Sequence, residues 1–184
     1  RRYSGRVEQM LCMRCGGTLE GQRLLELGTG QGPNIAWVRE LGGDYWGIEG
    51  SEAAVDVACR EHPDVAEQIA VEDFTRRIPF DPPFDIVMDR ASLAHNGGEA
   101  VRRCIDLVWD ALRPGGLFFA VDWFSIAHSE MERGFPDGDA TTRTGYVDGQ
   151  FAGVGSVHFF GEIELAQLFS KFEPVHLMER VERS

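Results

Sequence analysis

The stretch LLELGTGQGPN places a carboxylate, Glu26, just before a run of alternating glycines. Gly28, Gly30 and Gly32 follow an apolar segment, and the free backbone N–H groups of such a loop at a helix start bind anions or polar ligands. The dinucleotide fingerprint G-x-G-x-x-G requires a glycine where Pro33 stands. Glu26 would also repel a pyrophosphate, whereas it would attract a cationic group. The loop therefore predicts a site for a ligand that carries positive charge.

Three further acids stand at or near the ends of apolar segments. Glu49 ends the segment YWGIE, where open α/β sheets place a carboxylate against ribose hydroxyls. Asp73 has an acidic neighbour, Glu72, and strand alternation alone leaves open which of the two faces a ligand. Asp89 follows the segment DIVM and could serve a ligand, act as a cap, or pair with Arg90. These positions predict a ligand site at the carboxyl ends of neighbouring strands.

Short apolar segments alternate with amphipathic ones through the middle of the chain. This order predicts an α/β fold with a doubly wound, mostly parallel sheet and helices on both faces. Apolar residues at helical spacing, such as Val101, Cys104 and Val108, mark the helices. The motif LRPGG ends the last of them, because proline and glycine do not continue a helix. The predicted strands are 23–27, 45–49, 68–71, 85–88 and 117–122, and the predicted helices are 34–41, 52–59 and 101–112.

Regular periodicity disappears between residues 124 and 157, where Gly, Asp, Ser and Thr dominate. A structureless segment of this length inside a compact domain is usually functional or disordered. Beyond it, residues 161–172 predict a helix and residues 174–181 predict a strand. We expect a single domain, residues 1–184, that contains an insert at 124–157.

Composition narrows the class of protein. The 184 residues carry a formal net charge of −12, so DNA and RNA are poor partners. No apolar run reaches the roughly 20 residues that span a membrane, and the amino terminus lacks the pattern of a secretory signal; we expect a cytoplasmic protein.

Cys12 and Cys15 form one Cys-x-x-Cys, which cannot complete a tetrahedral zinc site alone. Because Cys15 shares a helical stripe with Val7 and Leu11, the two thiols are expected to lie in a helix.

Five motifs in order, LLELGTGQG, YWGIEGS, AVEDF, FDIVMDRASL and LRPGGLFFAVDW, resemble those of class I S-adenosylmethionine-dependent methyltransferases of the small-molecule type. The resemblance implies that S-adenosylmethionine is the cofactor, that Glu26 and the glycine loop hold its methionine part, and that Glu49 binds both ribose hydroxyls. It also implies that Asp73 and Phe74 contact the adenine, and that Asp89 lies near the methionine amine and the transferred methyl. The implied cofactor-binding residues are Glu26, Gly28, Thr29, Gly30, Gln31, Gly32, Glu49, Gly50, Ser51, Asp73, Phe74, Asp89 and Arg90.

Methyl transfer from a sulfonium to an oxygen, nitrogen or sulfur acceptor is an in-line displacement, and much of the acceleration comes from holding the two groups in line. A general base helps when the acceptor is a hydroxyl. His95 is the first candidate, because it follows the cofactor-side end of the fourth strand; the alternative is a histidine at a helix start that makes one backbone hydrogen bond. The other candidates by position are Asp122, after the fifth strand, and His128 and His158, which flank the irregular insert. Asp122 and His128 could also ligate a metal, but no spacing signature supports a metal site.

The insert at 124–157 lies where this family varies its substrate cap, and we expect it to be the lid over a small-molecule acceptor. Its aromatic residues are then pocket walls, or alternatively they pack the insert onto the domain. The candidate substrate-binding residues are Trp123, His128, Tyr146 and His158.

Parts of the sequence are also compatible with functions other than small-molecule methylation. The stretch DPPFD resembles the Asp-Pro-Pro-aromatic box of methyltransferases that act on nucleic-acid bases, but it precedes the fourth strand, so a tight turn is the simpler interpretation. A module that binds S-adenosylmethionine without transferring methyl, and methylation of nucleic acid or protein, are the alternatives. A nicotinamide-dependent oxidoreductase is disfavoured by Pro33 and Glu26.

The family sheet usually finishes with two strands, and only VHLMERV follows the last predicted helix. We expect the last strand to be missing because the chain is trimmed or disordered beyond Ser184, and residues before Arg1 to be absent because the chain does not begin with Met. A monomer, or a homodimer that supplies the sheet edge, is compatible with this expectation.

Overall fold

The computed structural model describes residues 14–178, and its centre is a five-stranded parallel sheet. The strands are β1 (Arg23–Leu27), β2 (Asp44–Glu49), β3 (Ile69–Val71), β4 (Phe84–Arg90) and β5 (Leu112–Val121). They lie in the order β3-β2-β1-β4-β5, and all neighbours run parallel. Because the strands are parallel, their carboxyl ends share one edge of the sheet. The predicted α/β fold is confirmed.

Three helices connect these strands, as predicted. They are α1 (Ile35–Glu40), α2 (Glu52–Glu61) and α3 (Gly98–Ala111). The predicted bounds of α3 are shifted by a few residues, because the helix begins at a glycine and ends just before the motif LRPGG, which forms the start of β5.

Both faces of the sheet are covered. Leu24 packs in a core cluster to which α1 and α2 contribute Val38 and Ala58. Leu25, on the other face, packs in a second cluster to which α3 contributes Val108. Burial on both faces explains why β1 is an apolar run rather than an alternating one.

A second sheet follows, and it corrects the expectation of an irregular insert. Its strands are β6 (Phe124–Ser125), β7 (Phe135–Asp137), β8 (Asp139–Thr144) and β9 (Val157–Phe160), in the order β6-β9-β8-β7. Strands this short carry too few alternations for a period to be detected. All four residues of β9 are buried, so this strand does not alternate either.

Two further predictions concern the segments beside these sheets. The predicted helix at 161–172 is present but shorter, as α4 (Glu162–Leu168). The strand predicted at 174–181 is absent from residues 174–178, which have no regular structure, and its remaining residues lie outside the described range. The helix predicted around Cys12 also lies outside it. Within the stretch DPPFD, residues 81–83 form an exposed turn and the last two residues begin β4. The Asp81 and Pro83 carbonyls of this turn accept hydrogen bonds from the Arg23 guanidinium at 3.0 and 2.9 Å.

Candidate active site

The loop between β1 and α1 is built on three glycines with positive backbone φ. Gly28, Gly30 and Gly32 have φ angles of +70°, +56° and +81°, a region that residues with a side chain rarely adopt. The N–H groups of Gly28 and Thr29 donate to the Ile48 carbonyl at 2.8 and 3.0 Å, which ties the loop to the end of β2. A side chain at Gly30 would meet no atom within 4 Å. The loop therefore borders open space on this side.

Glu26 lies below the loop with only 2% of its surface exposed. Its carboxylate oxygens accept hydrogen bonds from the Asn34 amide at 2.7 Å and from the Tyr45 hydroxyl at 2.6 Å. Tyr45 Oη is also 3.1 Å from Thr29 Oγ1, so one buried polar network connects β1, β2 and the glycine loop. A side chain at Gly47 would overlap Thr29 Oγ1, which requires a glycine at this position.

Asn34 and Tyr45 are residues that the sequence analysis missed. Asn34 Oδ1 is buried and has no hydrogen-bond partner among the residues that the structure describes. Buried polar atoms are seldom left in this condition, so Asn34 Oδ1 is a candidate acceptor for a ligand. The available signal was weak: a polar residue at a helix start is common, and a tyrosine in an apolar strand is ordinary.

Glu49 joins the glycine loop to the start of α2. One carboxylate oxygen accepts the Gly30 N–H at 2.8 Å, and the other accepts the Ser51 N–H at 2.9 Å. Ser51 in turn caps α2. Gln31 and Gly50 are both exposed, and the side of Gly50 where a side chain would project is open. A carboxylate has about four acceptor sites, so Glu49 can accept further hydrogen bonds from a ligand.

Asp73 stands in the turn after β3. Its carboxylate accepts hydrogen bonds from the Thr75 N–H and hydroxyl at 3.0 and 2.7 Å, and it pairs with Arg76 at 3.1 Å. Glu72 pairs with Arg77 at 2.7 Å. Both acids are therefore held by the turn itself. The neighbouring Phe74 is half-buried and packs against the second core cluster, to which α3 contributes Val108.

Asp89, at the end of β4, is fully buried. One oxygen accepts the indole N–H of Trp123 at 2.6 Å, and the other accepts the Leu93 N–H at 3.0 Å. Burial raises the pKa of Asp89 from 3.8 to about 7, although these hydrogen bonds oppose the increase. The indole ring of Trp123 stacks on Phe160 at 4.2 Å, which fixes its orientation. Both oxygens of Asp89 thus contact the protein.

Arg90 and Asp122 connect the ends of β4 and β5. The Arg90 guanidinium donates to the Asp122 carboxylate at 2.8 Å. Ala91 and Asp122 have positive φ angles of 58° and 59°, which are unusual for residues other than glycine and often occur at functional sites. Asp122 lies at the carboxyl end of β5, as expected, but its carboxylate already pairs with Arg90.

His95 lies at the end of a single 3-10 turn, Leu93–His95, that follows β4. It is exposed, and its ring makes edge contacts with Phe124 and Phe151, at centroid distances of 5.9 and 6.4 Å. Partial burial lowers the pKa of His95, and a hydrogen bond from the ring to the backbone of Ser156 opposes this change. In its neutral form the imidazole ring has one donor and one acceptor nitrogen.

His128 faces the same two aromatic rings as His95. Its ring centroid is 6.0 Å from that of Phe124 and 5.7 Å from that of Phe151. His128 Nδ1 accepts the Glu130 N–H at 3.1 Å, so the proton of the neutral ring is on Nε2. Phe151 is buried in the core of the second sheet, whereas Phe124 is half-buried. The structure thus brings His95 and His128 to one aromatic cluster.

Tyr146, in the loop after β8, and His158, in β9, are both buried. The buried Tyr146 donates its hydroxyl to the Glu130 carbonyl at 2.9 Å, and burial raises its pKa. His158 is 1% exposed and contacts Thr142 Oγ1 at 2.8 Å and Glu164 Oε1 at 3.0 Å. These contacts stabilise the second sheet and leave His158 little surface for a substrate.

Within residues 14–178, no group of three or more His, Cys, Asp or Glu side chains is arranged to hold a metal ion. A cleft of about 290 Å³ is bordered by Gln22, Asp85 and Arg113, near the amino ends of the strands and thus away from the glycine loop. None of the described helices has the length and apolar character needed to cross a membrane.

Comparison with known proteins places these features in a family. Residues 25–120 match the family described as "Methyltransferase domain". No curated protein sequence matches the chain significantly.

Three solved structures resemble this fold. An S-adenosylmethionine-dependent methyltransferase from Methanosarcina mazei has a TM-score of 0.70 and 20% identity, over 86% of this chain and 82% of that one. One from Clostridium acetobutylicum has a TM-score of 0.64 and 14% identity, over 88% and 76%. A sugar N-methyltransferase from Streptoalloteichus has a TM-score of 0.65 and 18% identity, over 91% and 76%. At these identities the likeness shows a shared fold.

Proposed function

The chain belongs to the methyltransferase domain family, and we propose that it transfers the methyl group of S-adenosylmethionine to the oxygen, nitrogen or sulfur of a small molecule. The observation that carries this proposal is the open space beside Gly30 in the glycine loop. Glu49, at the end of β2, accepts the Gly30 N–H at this space. Glu26 and Asn34, which are hydrogen-bonded to each other, lie below the loop. Glu26, Glu49 and Asp89 lie at the same edge of the sheet, and acids there suit a cofactor that carries an ammonium and a sulfonium group.

The residues of this edge fit the parts of the cofactor. Glu49 retains acceptor capacity for ribose hydroxyls, because each oxygen accepts one backbone N–H in the structure. Asn34 Oδ1 is a buried acceptor that the ammonium group of the methionine part would satisfy. Glu26 keeps the loop in shape through Tyr45 and Thr29 and adds negative charge below it.

The acceptor would lie beside the turn that carries His95. When bound, S-adenosylmethionine supplies an electrophilic methyl group on a positively charged sulfur. The lowered pKa of His95 favours the neutral ring at neutral pH, and its acceptor nitrogen can take a proton from a hydroxyl or an ammonium acceptor. Asp122 is the weaker candidate for this base, because Arg90 already pairs with its carboxylate.

A small-molecule acceptor is favoured over a macromolecular one by charge and by architecture. A formal net charge of −12 opposes nucleic-acid binding. Phe124, in β6, and His128, in the segment after it, lie next to His95, so an acceptor bound there would be bordered by aromatic rings. One of the similar structures is a sugar N-methyltransferase.

Binding of the cofactor is tested first by calorimetric titration with S-adenosylmethionine. Glu26→Gln should weaken binding by about 10- to 100-fold, since a charged hydrogen-bond acceptor is lost. Glu61→Gln removes an exposed acid at the end of α2 and should leave the affinity unchanged. The proposal is abandoned if the wild-type protein shows no binding at micromolar concentrations.

Methyl transfer is tested with methyl-labelled S-adenosylmethionine and fractionated cell extract. Label in small molecules would support the proposed acceptor class, whereas label in RNA or protein would replace it. A protein that binds the cofactor and labels neither pool would be a binding or regulatory module instead.

A further inference from the structure

We propose that His158 is held in the protein as an imidazolium ion that clasps the second sheet to α3 and α4. The clasp consists of Asp139 and Thr142 on β8, His158 on β9 and Glu164 on α4, joined in that order by hydrogen-bond contacts. Loss of either ring proton would set two acceptors against each other, so the clasp depends on a proton. It does not depend on the proposed methyl transfer.

His158 lies in one of the two inner strands of the second sheet, directly opposite Thr142. The two residues are register partners of β8 and β9, so their side chains project from the same face. The ring is buried, and its two nitrogens lie 2.8 Å from Thr142 Oγ1 and 3.0 Å from Glu164 Oε1. Each nitrogen is therefore within hydrogen-bond distance of an oxygen and shielded from water.

The hydrogen atoms along this row of groups can be counted. Three contacts each need one hydrogen, and the Thr142 hydroxyl has a single one, which it donates to Asp139 Oδ2 at 2.7 Å. When both acids are ionised, the other two contacts must receive their hydrogens from the ring. Nδ1–H then donates to Thr142, and Nε2–H donates to Glu164. A neutral ring has one N–H group and an imidazolium has two, so the arrangement requires the imidazolium.

The surroundings of both acids favour the ionised form. The Asp139 carboxylate accepts the Gly98 N–H, at the start of α3, at 3.0 Å, and it also accepts two N–H groups of β8. Burial would raise the pKa of Asp139, but the hydrogen bonds from the Thr142 hydroxyl and from these N–H groups lower it to about 2. Glu164 is partly exposed, and the Arg102 guanidinium on α3 lies 3.8 Å from its Oε1. Neither acid is therefore a source of the missing hydrogen.

The charges around the ring also favour an imidazolium. Glu164 Oε1 lies 3.0 Å from Nε2, and Asp139 Oδ2 lies 3.9 Å from Nδ1. Arg102 is the cation of this network, and it contacts Glu164 rather than the ring. A buried charge is tolerated in a protein when it is paired and hydrogen-bonded. His158 meets both conditions, with a carboxylate on each side.

The clasp holds the strand that carries aromatic residues towards the proposed acceptor site. Phe159 and Phe160 follow His158 in β9. The Phe160 ring stacks on Trp123 at a centroid distance of 4.2 Å, and the Phe159 ring centroid lies 6.0 Å from that of His128. Fixing His158 between β8 and α4 therefore also fixes these two rings.

The protonation of the ring is tested by nitrogen NMR of the wild-type protein with labelled histidine at neutral pH. The chain has five histidines, and Gln variants of His62, His95, His128 and His176 leave the His158 signals by elimination. Both His158 nitrogens should resonate in the range of protonated ring nitrogens. A nitrogen in the unprotonated range would show a neutral ring and overturn the proposal.

The contribution of the ion pair is tested with Glu164→Gln, which keeps the size of the side chain and removes its charge. If His158 is an imidazolium, a buried cation loses its partner, and the equilibrium constant for unfolding, measured in urea, should rise about 10- to 100-fold. If the ring is neutral, the Gln amide can donate to the lone pair of Nε2, and the protein should be as stable as wild type or more so.

Glu162→Gln is the matched control, because Glu162 is an exposed acid in the same first turn of α4. It experiences the same helix dipole, so its loss should raise the unfolding constant by about fivefold at most. An effect of Glu164→Gln no larger than that of the control would overturn the clasp. Neither measurement uses S-adenosylmethionine, so both remain interpretable if the proposed function fails.

Discussion

Trp123 donates its indole N–H to Asp89 at 2.6 Å, and this bond joins the loop after β5 to the buried end of β4. The second oxygen of Asp89 accepts the Leu93 N–H, at the start of the turn that carries His95. One buried carboxylate therefore connects the end of β4 both to the turn that carries His95 and to the residue that immediately precedes the second sheet.

Trp123→Phe tests this organising bond. The variant removes the donor and leaves a buried carboxylate with one partner fewer, which should lower the free energy of unfolding by about 1–3 kcal/mol. Urea unfolding near pH 8 measures the change. Addition of Asp89→Asn to this variant should restore part of the loss, because the double variant no longer buries a charge. Equal stability of wild type and Trp123→Phe would show that the bond contributes nothing.

Asp89 should also make stability depend on pH near neutrality. Its pKa is about 7 in the folded protein against 3.8 in the unfolded chain, so the folded state retains a proton that the unfolded chain has released. The contribution of this group is greatest below the unfolded pKa. It falls by about 1.4 kcal/mol per pH unit as the pH rises towards the folded pKa, and then stays constant. The difference in unfolding free energy between wild type and Asp89→Asn, measured from about pH 5 to 8, isolates this trend; a flat difference would contradict it.

Much of the parallel sheet was predictable, because its strands are apolar runs separated by helices with clear periodicity. The second sheet was not, since β6 has two residues and β7 has three. In addition, β6 is stabilised by pairing with β9, which lies far along the chain, rather than by a local pattern. The acids at strand ends were identified by motif order. Their partners were not, because the contacts of Glu26 with Tyr45 and of Asp89 with Trp123 join residues far apart in the sequence.

Two glycines of the loop should respond differently to alanine. A side chain at Gly28 would overlap Ser92, whereas one at Gly30 would project into open space. Both have positive φ, so each substitution costs about 1 kcal/mol of strain. Gly28→Ala should therefore lose more stability in thermal unfolding, and Gly30→Ala should instead lose cofactor affinity, because its methyl group would occupy the space of the ligand. Equal affinity of Gly30→Ala and wild type would place the cofactor elsewhere.

Two tyrosine variants distinguish support of the glycine loop from a contribution to the stability of the whole protein. Tyr45→Phe removes the hydrogen bond to Glu26 and the contact with Thr29, so both stability and cofactor affinity should fall, the former by about 1.5–3 kcal/mol. Tyr146→Phe removes a hydroxyl that donates to the Glu130 carbonyl, away from the glycine loop, and should cost stability alone. Calorimetric titration and urea unfolding of both variants make the comparison. A normal cofactor affinity in Tyr45→Phe would show that the network does not support the binding loop.

His95→Gln should separate chemistry from cofactor binding. Glutamine keeps a polar side chain but cannot accept a proton near neutral pH, so methyl transfer to a hydroxyl or ammonium acceptor should slow by about 100-fold. Affinity for S-adenosylmethionine should stay within about twofold of wild type, because the Glu49 carboxylate bonds to Gly30 and Ser51 and not to His95. His176→Gln, in the exposed segment after α4, is the matched control. Label transfer measured with the active extract fraction decides between the outcomes: an unchanged rate would remove His95 from the chemistry, and a loss of affinity would assign it to the cofactor site.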